Sequence, residues 1–141
     1  MERISLDSSI VVKWFSYEED TEKALKIKDA FVRGEIELIV TQLLYSEVIN
    51  ALRYKPDYNV SKLKKAADAL LNLQMYVEII DNDILKRSSE IAFDAGVTIY
   101  DAIPVAVAEK HKTICLTADK RTQYNKMKDK YPIKLLKHYI L

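Results

Sequence analysis

The stretch RISLDSSIVVKWF, residues 3–15, joins a strand pattern to a helix pattern at a single aspartate. Residues 3–6 form a candidate strand. Two serines then precede the apolar run from Ile10 to Phe15, which is typical of a helix that is capped near its start. A strand therefore ends at Asp7, and a helix follows it directly.

Strand and helix patterns go on alternating through the rest of the chain. Gly34 and Gly96 stand where two of the helical patterns end, and Pro56 ends a third. Short apolar strands separated by helices are typical of a parallel sheet with both faces covered. We therefore predict an α/β fold, a three-layer α/β/α sandwich with a central parallel sheet. The predicted strands are 3–6, 37–40, 77–80, 113–116 and 134–136, and the predicted helices after the first are 18–33, 41–54, 61–73, 82–95 and 102–110.

Length and composition exclude several classes of protein. The chain has 141 residues, about the length of one domain, so we expect a single domain over residues 1–141. With 49% hydrophobic and 30% charged residues it is not a disordered chain, and its longest apolar run, residues 102–108, is far shorter than the roughly 20 residues that cross a bilayer. The single cysteine, Cys115, allows no internal disulfide, and two histidines do not suffice for a structural zinc site. We expect a cytoplasmic protein that does not enter a membrane.

Positive and negative charges are separated along the sequence. Residues 110–141 carry nine Lys and Arg against two acidic residues, whereas residues 1–109 carry 13 against 19. A basic segment of this kind attracts a polyanion, but an acidic site repels phosphate unless it holds cations. A lysine-rich solvated surface is the alternative interpretation of the same segment.

Four acidic residues stand at junctions of the strand and helix pattern. Asp7 ends RISLD, and Asp119 follows the fourth strand in ICLTAD. Glu47 lies in the first turns of one helix, and Asp101 opens another. In an open parallel sheet, ligands bind beyond the carboxyl ends of the strands, so these side chains should meet there. Carboxylates at such short distances raise one another's pKa unless a cation lies between them. Oxygen ligands of this kind suit Mg²⁺ or Mn²⁺. The pattern predicts a metal site.

At these residues the sequence resembles the PIN-domain superfamily, and in size and spacing it resembles the VapC-type toxins. The matching segments are LDSSIVVKWF, SEVINAL, TIYDAIPVAVA and LTADKR, which follow the family's order over about 115 residues. The resemblance implies an endoribonuclease that depends on Mg²⁺ or Mn²⁺, forms a homodimer, and acts as the toxin that a small antitoxin protein inhibits. Phosphodiester cleavage needs an activated water and an offset for the charge on the leaving oxygen, and bound Mg²⁺ can supply both.

The resemblance also implies roles for individual residues. Asp7, Asp101 and Asp119 correspond to metal-binding carboxylates. Glu47 corresponds to the acidic residue that completes the catalytic quartet. Further candidates are the polar residues beside the site, Ser8, Thr117 and Asn50, and two cations that could contact RNA phosphate, Lys13 and Arg121.

One position departs from the family pattern. Pro104 stands where the family commonly has an aromatic residue, so the substrate-side wall of the helix differs. We expect it in the first turn, where a missing N–H costs little. Trp14 and Pro104 are also candidates for the homodimer surface.

The acidic residues have simpler interpretations as well. Aspartates at strand-to-helix junctions are often helix N-caps, and Asp7, Asp101 and Asp119 could serve only that purpose. For Glu47, which lies between apolar neighbours, a polar or metal partner is expected because a half-buried charge is costly. A haloacid-dehalogenase-like phosphatase needs an aspartate where Ser9 stands, and two glycines provide no phosphate-binding loop. The remaining alternative is a catalytically silent PIN-like module that binds RNA or a protein.

Overall fold

The computed structural model describes residues 1–141, and a sheet of five parallel strands lies at its centre. The strands are β1 (Glu2–Leu6), β2 (Ile36–Thr41), β3 (Tyr76–Glu78), β4 (Ile114–Thr117) and β5 (Ile133–Leu135). Their order across the sheet is β3-β2-β1-β4-β5, and every neighbouring pair is parallel. The chain order reverses at β1, so the carboxyl ends of β1 and β4 lie side by side where ligands bind in such sheets.

Helices cover both faces of the sheet. One face packs against α1 to α4, and the other against α5 and α6. Strand β2 shows how this divides the core, because Leu38 and Val40 belong to the first layer and Ile39 between them to the second. The helices are α1 (Ser8–Phe15), α2 (Thr21–Val32), α3 (Gln42–Arg53), α4 (Val60–Asn72), α5 (Asn82–Ala95), α6 (Ile99–Lys110) and, after a π-helical turn (Lys120–Tyr124), α7 (Asn125–Met127).

The predicted three-layer α/β/α architecture is confirmed. All five predicted strands are present, with ends that differ by one to two residues, and helix α5 has the predicted bounds. Gly34 and Gly96 end their helices with φ of 76° and 69°, in the left-handed region that glycine adopts without strain. No single helix is long and apolar enough to cross a bilayer; α5 and α6 meet that measure only as a pair, which is bent by 117°.

Helix α6 differs from its prediction in a way that affects Pro104. The helix begins at Ile99 instead of Ala102, because the Thr98 side chain accepts a hydrogen bond from the Asp101 N–H and caps it. Pro104 therefore lies inside the helix, and its predicted place in the first turn is wrong. Its missing N–H leaves the carbonyl of Tyr100 without the usual helical donor. The carbonyl of Pro104 accepts an additional hydrogen bond from the Ser5 hydroxyl at 2.7 Å, which fixes α6 to β1.

Helix α2 begins three residues later than predicted. Asp20 directly before it has a φ of 62°, a left-handed conformation that aspartate tolerates better than most residues. The Glu18 N–H donates to the Thr21 hydroxyl at 2.8 Å, so the segment before the helix forms its own turn. Local hydrogen bonding of this kind competes with helix extension and does not show in a hydrophobic pattern.

Candidate acidic site at the carboxyl edge of the sheet

The four predicted acidic residues all lie at the carboxyl edge of the sheet. Asp7 directly follows β1, and its N–H donates to the carbonyl of Leu116 in β4 at 3.0 Å, which joins the ends of the two strands. Asp119 lies two residues beyond β4. Glu47 is in the second turn of α3, and Asp101 is in the first turn of α6. The topology thus brings together residues from four separate parts of the chain.

The carboxylate of Asp7 is held by hydrogen bonds from a neighbouring serine. Its Oδ2 accepts hydrogen bonds from the Ser9 N–H at 3.0 Å and from the Ser9 hydroxyl at 2.5 Å. The first of these bonds caps α1. Burial raises the pKa of Asp7, and the bonds from Ser9 oppose that effect only in part.

The pKa values of Glu47 and Asp101 are raised as well, and their causes show that the acidic residues act on one another. Burial raises the pKa of Glu47 to about 7, and the charges of Asp7 and Asp101 add to it. Burial also raises the pKa of Asp101 to about 6, with added contributions from Asp7 and Asp119. No hydrogen-bond donor offsets the charge of Glu47. Ionising this cluster at neutral pH is therefore unfavourable unless positive charge is supplied.

The N-cap interpretation holds for two of the three aspartates. Asp7 caps α1, and Asp119 caps the π-helical turn by accepting from the N–H of Thr122 at 3.0 Å and from its hydroxyl. For Asp101 that interpretation is wrong, because Thr98 is the cap and the Asp101 carboxylate lies within the first turn. The position of Asp101 therefore has no structural explanation in helix capping.

A network of neutral polar side chains lies behind the carboxylates, and the sequence predicted only part of it. Thr117 was predicted, and it is fully buried, with its hydroxyl 3.3 Å from Asp7 Oδ2. The hydroxyl that bonds Asp7 belongs to Ser9, whereas the predicted Ser8 lines a narrow crevice with Asp7 and Glu47. Aspartate side chains often accept a hydrogen bond from the residue two positions later, so the position of Ser9 after Asp7 could have predicted this contact.

Gln123 also belongs to this network, and no pattern in the sequence predicts it. It is fully buried, accepts a hydrogen bond from the Thr117 hydroxyl at 2.6 Å and donates one to the main-chain oxygen of Asp101 at 3.0 Å. It follows Lys120 and Arg121 in a segment whose charges predict an exposed surface. Its inward direction depends on a π-helical turn, which no helical periodicity reveals.

Three other predicted residues lie away from the crevice. The ammonium group of Lys13 contacts Glu18 Oε1 at 3.5 Å and the carbonyl of Glu19 at 2.6 Å. Arg121 is exposed on the π-helical turn. Asn50 is exposed on α3, in a surface groove that also contains Tyr45, Ile49, Tyr54 and Leu63. The structure therefore brings the acidic quartet, Ser8 and Thr117 together and leaves Lys13, Arg121 and Asn50 outside.

The chemistry of the donors fits a hard divalent cation. The quartet offers only carboxylate oxygens, which Mg²⁺ and Mn²⁺ prefer. Burial raises the pKa values of Asp7, Glu47 and Asp101, and neighbouring acidic charges, which such an ion would neutralise, add to the effect. No three acidic, histidine or cysteine side chains converge to coordination distance in this arrangement, so binding would require side-chain rotation.

Comparisons with known proteins show which family the chain belongs to. Residues 4–129 match the family described as the PIN domain. A comparison with curated protein sequences finds no match.

Solved structures with the same fold cover nearly the whole chain. A toxin–antitoxin complex from Klebsiella pneumoniae has a TM-score of 0.67 and 17% identity and covers 100% of both chains. FitAcB from Neisseria gonorrhoeae has a TM-score of 0.68 and 14% identity, with 97% of this chain and 99% of that chain covered. VapBC2 from Rickettsia felis, bound to a DNA fragment from its promoter, has a TM-score of 0.65 and 9% identity over 96% of this chain and 98% of that chain. At these identities the likeness concerns the fold.

Proposed function

Because this chain belongs to the PIN-domain family, we propose that it is a metal-dependent endoribonuclease that acts as the toxin of a toxin–antitoxin pair. One observation supports the proposal above all. The carboxylates of Asp7, Glu47 and Asp101 lie at the carboxyl edge of the sheet, where burial and then the neighbouring acidic charges raise their pKa values, and no basic side chain offsets Glu47. Asp7 and Asp119 also act as caps, but a protein that needed Glu47 and Asp101 only for folding would gain stability by replacing them.

In this proposal Asp7, Asp101 and Asp119 bind Mg²⁺ or Mn²⁺. A bound ion of this kind lowers the pKa of a coordinated water and offsets charge on the phosphate oxygens. The residues of the chain supply the geometry. Ser9 fixes Asp7 in one orientation through two hydrogen bonds to Oδ2, which leaves Oδ1 free for a ligand. Glu47, which has no donor of its own, would accept a hydrogen bond from the attacking water and take its proton as the new phosphorus–oxygen bond forms. The bond from phosphorus to the leaving ribose oxygen breaks, and that oxygen takes a proton from solvent.

The basic C-terminal segment supports RNA as the substrate. Lys120, Arg121 and Lys126 are exposed within the seven residues that follow Asp119, and the charge of Lys126 acts on Asp101. Their charges attract the phosphate backbone, and the cation between the carboxylates removes the repulsion that a bare acidic site would exert. The same three side chains carry no information about base sequence.

A small antitoxin protein and a second copy of the chain are the proposed partners. The groove on α3 and α4 exposes apolar surface, with Tyr54 exposed to 75%. Phe93 on α5 is 92% exposed and offers a contact for a homodimer. Trp14 is unsuited to that role, because it is buried and its indole N–H donates to the carbonyl of Ala24 at 2.8 Å. An RNA target and a single buried cysteine, Cys115, suit the cytoplasm.

The test of the proposed activity is cleavage of a mixed RNA pool with added Mg²⁺ or Mn²⁺. We expect cleavage that stops with a chelator and falls at least roughly a hundredfold in Asp7→Asn and Asp101→Asn, because losing a ligand charge loosens the metal. Asp68→Asn, which neutralises an exposed aspartate in α4, is the matched control. Cleavage that survives both site substitutions would refute the mechanism. RNA that is retained on a gel without cleavage would favour the silent binding module instead.

A further inference from the structure

Gln123 is a fully buried amide in a segment that is otherwise exposed and basic. The π-helical turn gives it this position. The Tyr124 N–H donates to the carbonyl of Asp119, five residues earlier, at 2.9 Å, and the Asn125 N–H likewise donates to Lys120. The wider turn directs the side chain at position 123 between β4 and α6. Single π-helical turns are rare and occur frequently at functional sites.

The partners of the Gln123 amide determine its orientation. The main-chain oxygen of Asp101 can only accept, so the NH₂ group must face it across 3.0 Å. The amide oxygen then accepts the single hydroxyl proton of Thr117 at 2.6 Å. Because that proton is used, the Thr117 oxygen is free to accept from the Asp119 N–H at 3.0 Å. Gln123 and Thr117 thus link the main chains of Asp101 and Asp119.

Ser9 connects the third aspartate to the same framework. Its hydroxyl donates to Asp7 Oδ2 and accepts from the Ala118 N–H at 2.9 Å. The segments that carry Asp7 and Asp119 are therefore tied across the strand ends by Ser9. In this network Gln123 is the member that reaches α6, where Asp101 lies.

We propose that Gln123 is a positioning residue that holds the main chain of Asp101 so that its carboxylate, after side-chain rotation, can share a divalent cation with Asp7 and Asp119. The inference rests on the proposed metal-dependent function and adds a residue that acts through another one. Side chains that orient metal ligands typically change metal affinity or activity by about 10- to 100-fold when they are replaced. Gln123→Met keeps the volume of the side chain and removes both hydrogen bonds.

The experiment compares Mn²⁺ binding and RNA cleavage in wild type, Gln123→Met and Tyr139→Phe. The last variant is a matched control, because it removes one hydroxyl bond to Glu2 from a buried side chain at the opposite end of β1. We expect Gln123→Met to bind Mn²⁺ about tenfold more weakly, with an unchanged KM for RNA and a kcat that recovers at high Mn²⁺ concentration. Tyr139→Phe should match wild type in all three. A kcat that recovers at high Mn²⁺ concentration indicates a misplaced metal ligand, because general structural damage would not be reversed by metal.

A second measurement on the wild type needs no substitution and remains available if Gln123→Met does not fold. The chain has three glutamines, and Gln42 and Gln74 are exposed. In an NMR titration with Mg²⁺, the side-chain amide of Gln123 should exchange slowly with solvent and change its chemical shift, whereas the other two should exchange fast and stay constant.

The outcomes distinguish this inference from the proposed function. If wild type and Gln123→Met bind Mn²⁺ equally, or if the Gln123 amide does not respond to Mg²⁺ that binds, the positioning role is refuted and the nuclease proposal stands. If wild type binds no Mn²⁺ and cleaves no RNA, the proposed function is refuted and the positioning role with it.

Discussion

Replacing Glu47 with glutamine should stabilise the metal-free protein at neutral and higher pH. The pKa of Glu47 is raised from its ordinary value of 4.5 to about 7 by burial and by the neighbouring charges of Asp7 and Asp101. Above pH 7 the side chain is ionised in the folded and the unfolded protein, and the folded state carries the whole cost of that charge. At pH 4 it is mostly protonated in both states, and the cost is absent.

The magnitude follows from the size of the shift. Each pKa unit corresponds to about 1.4 kcal/mol, so the shift sets an upper limit of roughly 3 kcal/mol. Glu47 is only half-buried, and screening by solvent lowers the expected gain for Glu47→Gln to the order of 1 kcal/mol. In a domain of this length that corresponds to an increase in Tm of about 3 °C.

Urea unfolding with EDTA at pH 5, 6, 7 and 8 measures the effect. The difference between Glu47→Gln and wild type should grow between pH 4.5 and 7 and then level off. Asp68→Asn should stay within about 0.5 kcal/mol of wild type at every pH, as exposed substitutions usually do. Mg²⁺ should stabilise wild type and reduce the difference. A variant that is less stable than wild type at pH 8, or equally shifted at all pH values, would refute the conclusion that burial and neighbouring charges make ionised Glu47 costly in the folded state.

Three further substitutions test the surrounding structure. Ser9→Ala removes the hydroxyl that donates to Asp7, so it should lower the free energy of unfolding by about 1–2 kcal/mol and raise the pKa of Asp7, as urea unfolding and carboxyl ¹³C NMR would show. Trp14→Phe removes the indole bond between α1 and α2, and a loss of about 1–2 kcal/mol in the same assay is expected, whereas no loss would mean that water replaces the bond. Glu109→Gln breaks the two-bond pair with Arg87, whose side chains are 29% and 42% exposed, and should cost less than about 1 kcal/mol, with a difference that shrinks at high salt.

The sequence predicted the architecture because the strands are short, apolar and separated by helices. In β2 the side chains alternate between two cores, and both sets are apolar, so the strand is recognised without knowledge of its partners. Asp7 and Asp119 were predicted at the carboxyl edge because Asp7 directly follows one such strand and Asp119 comes shortly after another. The order of strands in the sheet then places their segments side by side.

What the sequence did not predict depends on local hydrogen bonding. The Thr98 side chain caps α6, which therefore begins three residues earlier than predicted. Pro104 consequently lies in the helix interior and not in the first turn. The burial of Gln123 depends on a π-helical turn between two segments that look like charged surface. Hydrophobic periodicity reveals neither the start of α6 nor the burial of Gln123, because Thr98 and Gln123 act through polar partners and not through an apolar face.

The uneven hydrogen bonding of the four carboxylates has a consequence for the proposed site. Asp7 and Asp119 are fixed by donors from Ser9 and Thr122, which also cap the elements that follow them, so these two carboxylates keep their orientation whether or not a cation is bound. Glu47 has no donor, and its raised pKa records the cost. A cation that binds to the fixed carboxylates would remove much of that cost and lower the pKa of Glu47 from about 7, so a larger fraction of the group proposed to take a proton from water would be ionised at neutral pH when the metal is in place. Folding stability and metal binding are then linked through a charge that the protein leaves uncompensated.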